Sequence, residues 1–226
     1  APCIWLYSQH FNHITNMKRQ IVLVLAICGI NIGMKAQHSA LETLIIGTYT
    51  PKEALQSTDT PSAYVVTFNA ENGNLTLIDS IHTGINASFI AADTKRKQFY
   101  AVNELAGAIP QGKIRAFSYS IPWNRAVASS ICSTQGNDPC HVSIDTKNNM
   151  VTAANYSSGN IISIKTNTLG KLNCDQKINN QHKSGNKSEA STPPHAHQTT
   201  KAPFGNYLYA CDLGANAIFV YKIKNH

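Results

Sequence analysis

The chain has little charge, no CxxC pair and no uninterrupted apolar run of membrane-spanning length. Asp, Glu, Lys and Arg together make up 14% of its 226 residues, while hydrophobic residues reach 42%. That balance excludes a disordered, solvating polyelectrolyte and describes a chain able to bury a core. The six cysteines never fall at metal-clip spacing, so zinc ribbons and fingers are excluded. No dense Lys/Arg run with interleaved aromatics occurs, so the net charge of +7 and the pI near 9.1 are not read as a nucleic-acid footprint.

The N-terminal region carries a processing signal. Met17-Lys18-Arg19 opens a positive segment, the apolar stretch 21–32 is too short to span a bilayer, and Met34-Lys35-Ala36-Gln37 closes it. Residues 17–36 are therefore expected to be a secretory signal peptide cleaved near Ala36, and the protein to be exported to the periplasm or outside. Cys28 is not read as a lipoprotein cysteine, because Ile27 stands where a small residue is needed. Residues 1–16 precede the start of that signal and read as an upstream extension. Of the other cysteines, Cys132, Cys140, Cys174 and Cys211 are open to disulfides or to service as small buried apolar residues.

From residue 43 on, short β-branched and aromatic segments alternate with Gly/Asn/Asp punctuation, as in the turn Asn72-Gly73-Asn74. No helical period is sustained, and the fold class is all-β. The segments also repeat. Phe89-Ile90-Ala91-Ala92-Asp93 matches His141-Val142-Ser143-Ile144-Asp145, and Asn103 matches Asn155, both at a shift of 52. Asp212 matches Asn155 at a shift of 57. A period of this length holding about four strands predicts a β-propeller, here about three and a half blades over residues 43–226. Counted from residue 43 the chain holds three blades and the first half of a fourth, and so reads as a fragment. The polar stretch 176–194 is expected to be a long loop between blades.

Six motifs then resemble the seven-bladed lactonase family of 6-phosphogluconolactonases and carboxymuconate cyclases. They are Gly47-Thr48-Tyr49-Thr50, Tyr100-Ala101-Val102-Asn103-Glu104, Asp138-Pro139-Cys140-His141-Val142-Ser143, Ala154-Asn155-Tyr156 with Gly159, Pro194-His195-Ala196-His197 and Asp212-Leu213-Gly214. The resemblance implies hydrolysis of a sugar lactone at the mouth of a central channel. It also implies that His195 is the catalytic histidine, working with an arginine and a glutamate from a further blade. Export sets this chain apart from enzymes of a cytosolic phosphorylated metabolite, so an unphosphorylated aldonolactone is a rival substrate.

Opening a lactone needs a base for water and donors for the oxyanion. Histidine suits the first task near neutral pH. His195 and His197, two apart, share one face of an extended segment and are the catalytic candidates. His141, at the start of the innermost strand of its blade, and Glu104, ending the corresponding strand of the preceding blade, are candidates for substrate binding. Asn155 and Asp212 join them, with a role as repeated structural caps as the alternative reading. No cofactor or metal is expected, although His195, His197 and His141 offer a zinc-like set that would make the enzyme metal-dependent. The expected partner is a small lactone, with no nucleic acid, no membrane after signal cleavage, and a monomeric complete protein. A non-catalytic carbohydrate- or protein-binding propeller is the alternative function.

Overall fold

A computed structural model describes residues 41–51, 60–107, 112–183 and 193–224. The leader and the extension before it lie outside the described residues. Among the described residues fourteen strands form four antiparallel sheets, each a simple meander. Sheet 1 holds β1 (Leu41–Gly47), β2 (Ala63–Asn69) and β3 (Leu75–Ile81). Sheet 2 holds β4 (Ile90–Asp93), β5 (Gln98–Asn103), β6 (Lys113–Tyr119) and β7 (Ala126–Ser133). Sheet 3 holds β8 (Pro139–Asp145), β9 (Met150–Asn155), β10 (Asn160–Thr166) and β11 (Leu172–Gln181). Sheet 4 holds β12 (Ala196–Lys201), β13 (Tyr207–Asp212) and β14 (Ala217–Lys222).

Local chemistry explains the hairpins. Gly73 takes a positive φ of 76° between β2 and β3, where the Asn-Gly signal predicts a turn. At the tips of sheets 2 and 3, Asp93 Oδ1 accepts from the N–H of Lys95 and Arg96 (3.2 and 3.1 Å). Asp145 Oδ1 accepts from Asn148 N–H in the same way (3.1 Å). These are the repeated aspartates of the sequence, acting as turn caps.

The core lies in the seams between sheets. Phe99 and Phe117 pack with Ala63 and Val65 of sheet 1, while the neighbouring Tyr100 packs with Ile162 and Ile164 of sheet 3. Likewise Ile161 turns to Leu208 and Ala210 of sheet 4, one residue from Ile162, which faces sheet 2. Successive strand residues point to opposite faces, so a middle blade needs both faces apolar. This is why β5 and β9 are buried at every position. A disulfide joins Cys132 of β7 to Cys174 of β11, stapling the outer strands of sheets 2 and 3, and Cys140 and Cys211 are free thiols.

The pairing register corrects the phase of the repeat. Gly47, Asn103, Asn155 and Asp212 each pair with the first residue of the following strand, Ala63, Lys113, Asn160 and Ala217. The four positions are therefore equivalent, and β1 is a second strand, not a first. Fourteen strands at four per blade equal the expected three and a half blades. They are distributed as strands two to four of one blade, two full blades and strands one to three of another. The stretch 176–194 is corrected as well: β11 continues through Gln181, and His182 beyond it is buried.

Candidate active site

One rim of the sheets collects the polar candidates. It is formed where first strands begin and second strands end. The residue after each second strand donates its N–H to a carbonyl in the segment leading into the first strand: Glu104 to Asn86, Tyr156 to Asp138 and Leu213 to His195 (3.0, 2.8 and 3.0 Å). His195 is thus the counterpart of Asn86 and Asp138. Beyond it, both β8 and β12 carry a bulge that leaves one residue out of the ladder, Cys140 in β8 and His197 in β12. A bulge at a rim re-aims a side chain away from the regular alternation.

His195 is half-buried and stacks on the Tyr156 ring with centroids 4.5 Å apart. Its Nδ1 lies 3.0 Å from the Tyr156 carbonyl oxygen. A carbonyl can only accept, so Nδ1 carries a proton, and in the neutral ring the lone pair therefore sits on Nε2. His197 meets the same ring edge-on at 5.7 Å. Gly214 allows this crowding, since a Cβ there would run into the Pro193 carbonyl and lie 3.0 Å from His195 Cδ2. The two histidines gather on one aromatic platform.

His141 lies in β8 with its ring 4.2 Å from Phe89. The N–H of Thr199 points at its Nδ1 over a long 3.5 Å, which leaves Nε2 as the protonated nitrogen. Burial, and then the nearby His197, push its pKa down to about 4, so the ring is neutral at physiological pH. Glu104 follows β5, the second strand of its blade; it does not end the innermost strand β4, as the sequence reading has it. Its carboxylate meets the Tyr49 hydroxyl. Shielding from water, then that hydrogen bond and charge, push Tyr49 up to about 12. Burial, with Glu104 next, also pushes the Cys140 thiol up to about 12, so Cys140 is no nucleophile at neutral pH. An open hollow of about 570 Å³ borders His197, lined also by Gln198, Cys211, Asp212 and Leu213.

Asn155 and Asp212 are placed in the seams. Both are buried, and they occupy the cap position that Asn103 holds in sheet 2. Asn103 Nδ2 donates to the Thr83 and Ile85 carbonyls (2.9 Å each), and Asn155 Nδ2 donates to that of Thr134 (3.1 Å). Each ties its blade to the segment leaving the previous outer strand. Asp212 has no amide to donate and receives a proton donor instead: His182 Nδ1 lies 2.6 Å from Asp212 Oδ2, both side chains fully buried. Both residues make the contacts of a structural cap, and Asp212 also borders the hollow beside His197. Sequence reasoning missed His182 because it falls in a stretch that reads as loop. The available signal was the exchange of Asn for Asp at a repeated cap. Tyr156 was visible as a motif residue, but only the tertiary structure shows it as the platform.

The sequence pattern described as "Lactonase, 7-bladed beta-propeller" matches residues 43–226. A 6-phosphogluconolactonase of Bacillus subtilis is 27% identical over 62% of this chain and 39% of its own length. A second 6-phosphogluconolactonase, of Formosa agariphila, is 23% identical over 80% of this chain and 50% of its own. The chain thus spans half or less of the length of these relatives. Among solved structures, a putative 6-phosphogluconolactonase of Bacteroides fragilis superposes with a TM-score of 0.69 at 28% identity, covering 83% of this chain and 49% of that one. A periplasmic gluconolactonase of Pseudomonas aeruginosa gives 0.68 at 23% identity, over 80% of this chain and 50% of that one, a likeness of fold. The shared fold, the six motifs in order and the match over residues 43–226 make this chain a member of the seven-bladed β-propeller lactonase family.

Proposed function

We propose that the protein hydrolyses a sugar lactone, with His195 as the general base. The observation that carries this reading is the bond from His195 Nδ1–H to the Tyr156 carbonyl, which fixes the tautomer with a basic Nε2. In the proposed step a water oxygen attacks the lactone carbonyl carbon while His195 Nε2 takes the water's proton. The oxyanion forms beside the neutral His141, whose Nε2–H is a donor. Collapse of the tetrahedral intermediate breaks the ring C–O bond, and the imidazolium of His195 returns its proton to the departing oxygen. The product is the open-chain hydroxy acid. His197, on the same aromatic platform, is assigned to orienting the substrate, and Glu104 to accepting from sugar hydroxyls. His141 serves both as oxyanion donor and substrate contact.

Two features support an unphosphorylated aldonolactone as substrate of an exported enzyme. The leader reads as a signal peptide, and the Cys132–Cys174 disulfide is of a kind that persists in oxidising compartments. The test is the initial rate of the full-length protein on gluconolactone and on its 6-phosphate, above spontaneous hydrolysis, with and without chelator. Turnover of gluconolactone that survives chelation is the expected result. Activity confined to the phosphorylated lactone would reverse the substrate assignment, and loss on chelation would transfer the chemistry to a metal.

A further inference from the structure

The His182–Asp212 pair sits where the repeat departs from itself. In sheets 2 and 3 the cap is an asparagine whose amide reaches a backbone carbonyl of the preceding segment. In sheet 4 the cap is an aspartate and the donor is a buried imidazole, with Nδ1 to Oδ2 at 2.6 Å. The change frees the other carboxylate oxygen for a different task. Asp212 Oδ1 accepts the backbone N–H of His195 at 2.7 Å and that of Ala215 at 2.8 Å. The counterparts of His195 have no such tie to their caps. Asn86 N–H donates to Thr50 Oγ1 (3.1 Å), and Asp138 N–H donates to the Leu105 carbonyl (2.9 Å). Among the described residues, the cap is bonded to the backbone N–H ahead of a first strand only where that residue is the candidate base.

The arrangement is costly for a purely structural device. A buried carboxylate is stabilised only if its lone pairs are met, and Asp212 meets them with one imidazole N–H and two backbone N–H groups. His182 stacks on Phe219 with centroids 4.0 Å apart, and its Nε2 is buried without a partner among the described residues. The asparagine cap of sheet 2 closes its seam with both ends met, Asn103 Oδ1 accepting from Arg115 Nε (2.9 Å), while that of sheet 3 leaves Asn155 Oδ1 buried without a partner among the described residues, as the pair in sheet 4 leaves His182 Nε2. Groups that break a local rule at the expense of stability concentrate at functional positions.

We infer that His182 and Asp212 are positioning residues: His182 orients the Asp212 carboxylate, which anchors the His195 peptide so that the ring stays on Tyr156 with Nδ1 protonated. This deepens, and rests on, the assignment of His195 as the base. The test uses full-length protein labelled with ¹⁵N-histidine and three variants. His182→Leu removes the donor, His182→Asn retains an amide near the Nδ1 position, and His195→Ala is the control. Nitrogen spectra are expected to show His195 in the Nδ1-protonated form in the wild type and in His182→Asn, and as a mixture of tautomers in His182→Leu. On gluconolactone, kcat of His182→Leu should fall by roughly ten- to a hundredfold, the scale of a slightly misplaced catalytic group. KM should stay within about twofold, since the altered group positions the base and not the substrate. If the leucine variant does not fold, His182→Gln, with its amide one bond further out, gives the same contrast with His182→Asn. A His195 ring that stays Nδ1-protonated when the donor is lost overturns the inference, whatever happens to the melting temperature. Wild-type activity in His195→Ala would instead sink the role of His195 as base, and the tautomer spectra would still decide whether the pair positions it.

Discussion

Replacing His195 by alanine should lower kcat on a sugar lactone by roughly a hundredfold or more, the usual scale for loss of a general base. The melting temperature should hardly move, because a half-buried rim imidazole contributes little packing. Rates and melts measured on one preparation separate the two effects. His141 behaves differently. Its folded-state pKa of about 4 lies below the ordinary 6.5, so between those values the unfolded chain binds a proton that the folded chain refuses. Its contribution is present in full above pH 6.5 and is lost as the pH falls towards 4. His141→Asn should therefore flatten the acid side of the stability curve, by roughly 2–3 kcal/mol at pH 4. Denaturant melts from pH 7 to 4 read this directly, and parallel curves for the two proteins would refute it. The rim histidines could be picked out from the sequence by type and motif. His182 could not, because an isolated histidine in a polar stretch looks like any solvated loop residue.

At the level of strands, the bulges at Cys140 and His197 determine what the rim presents. Alternation alone places His195 and His197 on one face, but the bulge takes His197 out of the ladder and both rings still meet Tyr156. A bulge is an accommodation between two paired strands, so a single strand's residues do not announce it. The Cys132–Cys174 bond is a similar case, since neighbours on β7 and β11 are far apart in sequence. Cys132→Ser with Cys174→Ser should cost about 2–4 kcal/mol of stability, as expected for a loop of this size. Reducing agent should destabilise the wild type by a similar amount and leave the double variant unaffected. Activity at temperatures where both are folded should be equal, because the bond lies on outer strands.

For the molecule as a whole, the leader predicts that exported protein begins near Gln37, which N-terminal sequencing of periplasmic or secreted material would establish. Soluble cytoplasmic protein that retains residues 17–36 would contradict it. The sequence by itself determined the all-β class, the blade repeat and the family, because strand patterning, turn residues and motifs are local properties written in consecutive residues. It also carried the blade count, though not its phase: β1 looks like any strand until its pairing with Ala63 aligns Gly47 with Asn103, Asn155 and Asp212. Only the tertiary structure decided which polar residues face the rim and which close the seams. Asn155 and Asp212 have the same chemistry as a ligand contact would need, and their burial between sheets is set by packing with residues distant in the chain. The same long-range packing brings His182 to Asp212 and Asp212 to His195, a pairing that no spacing in the sequence encodes.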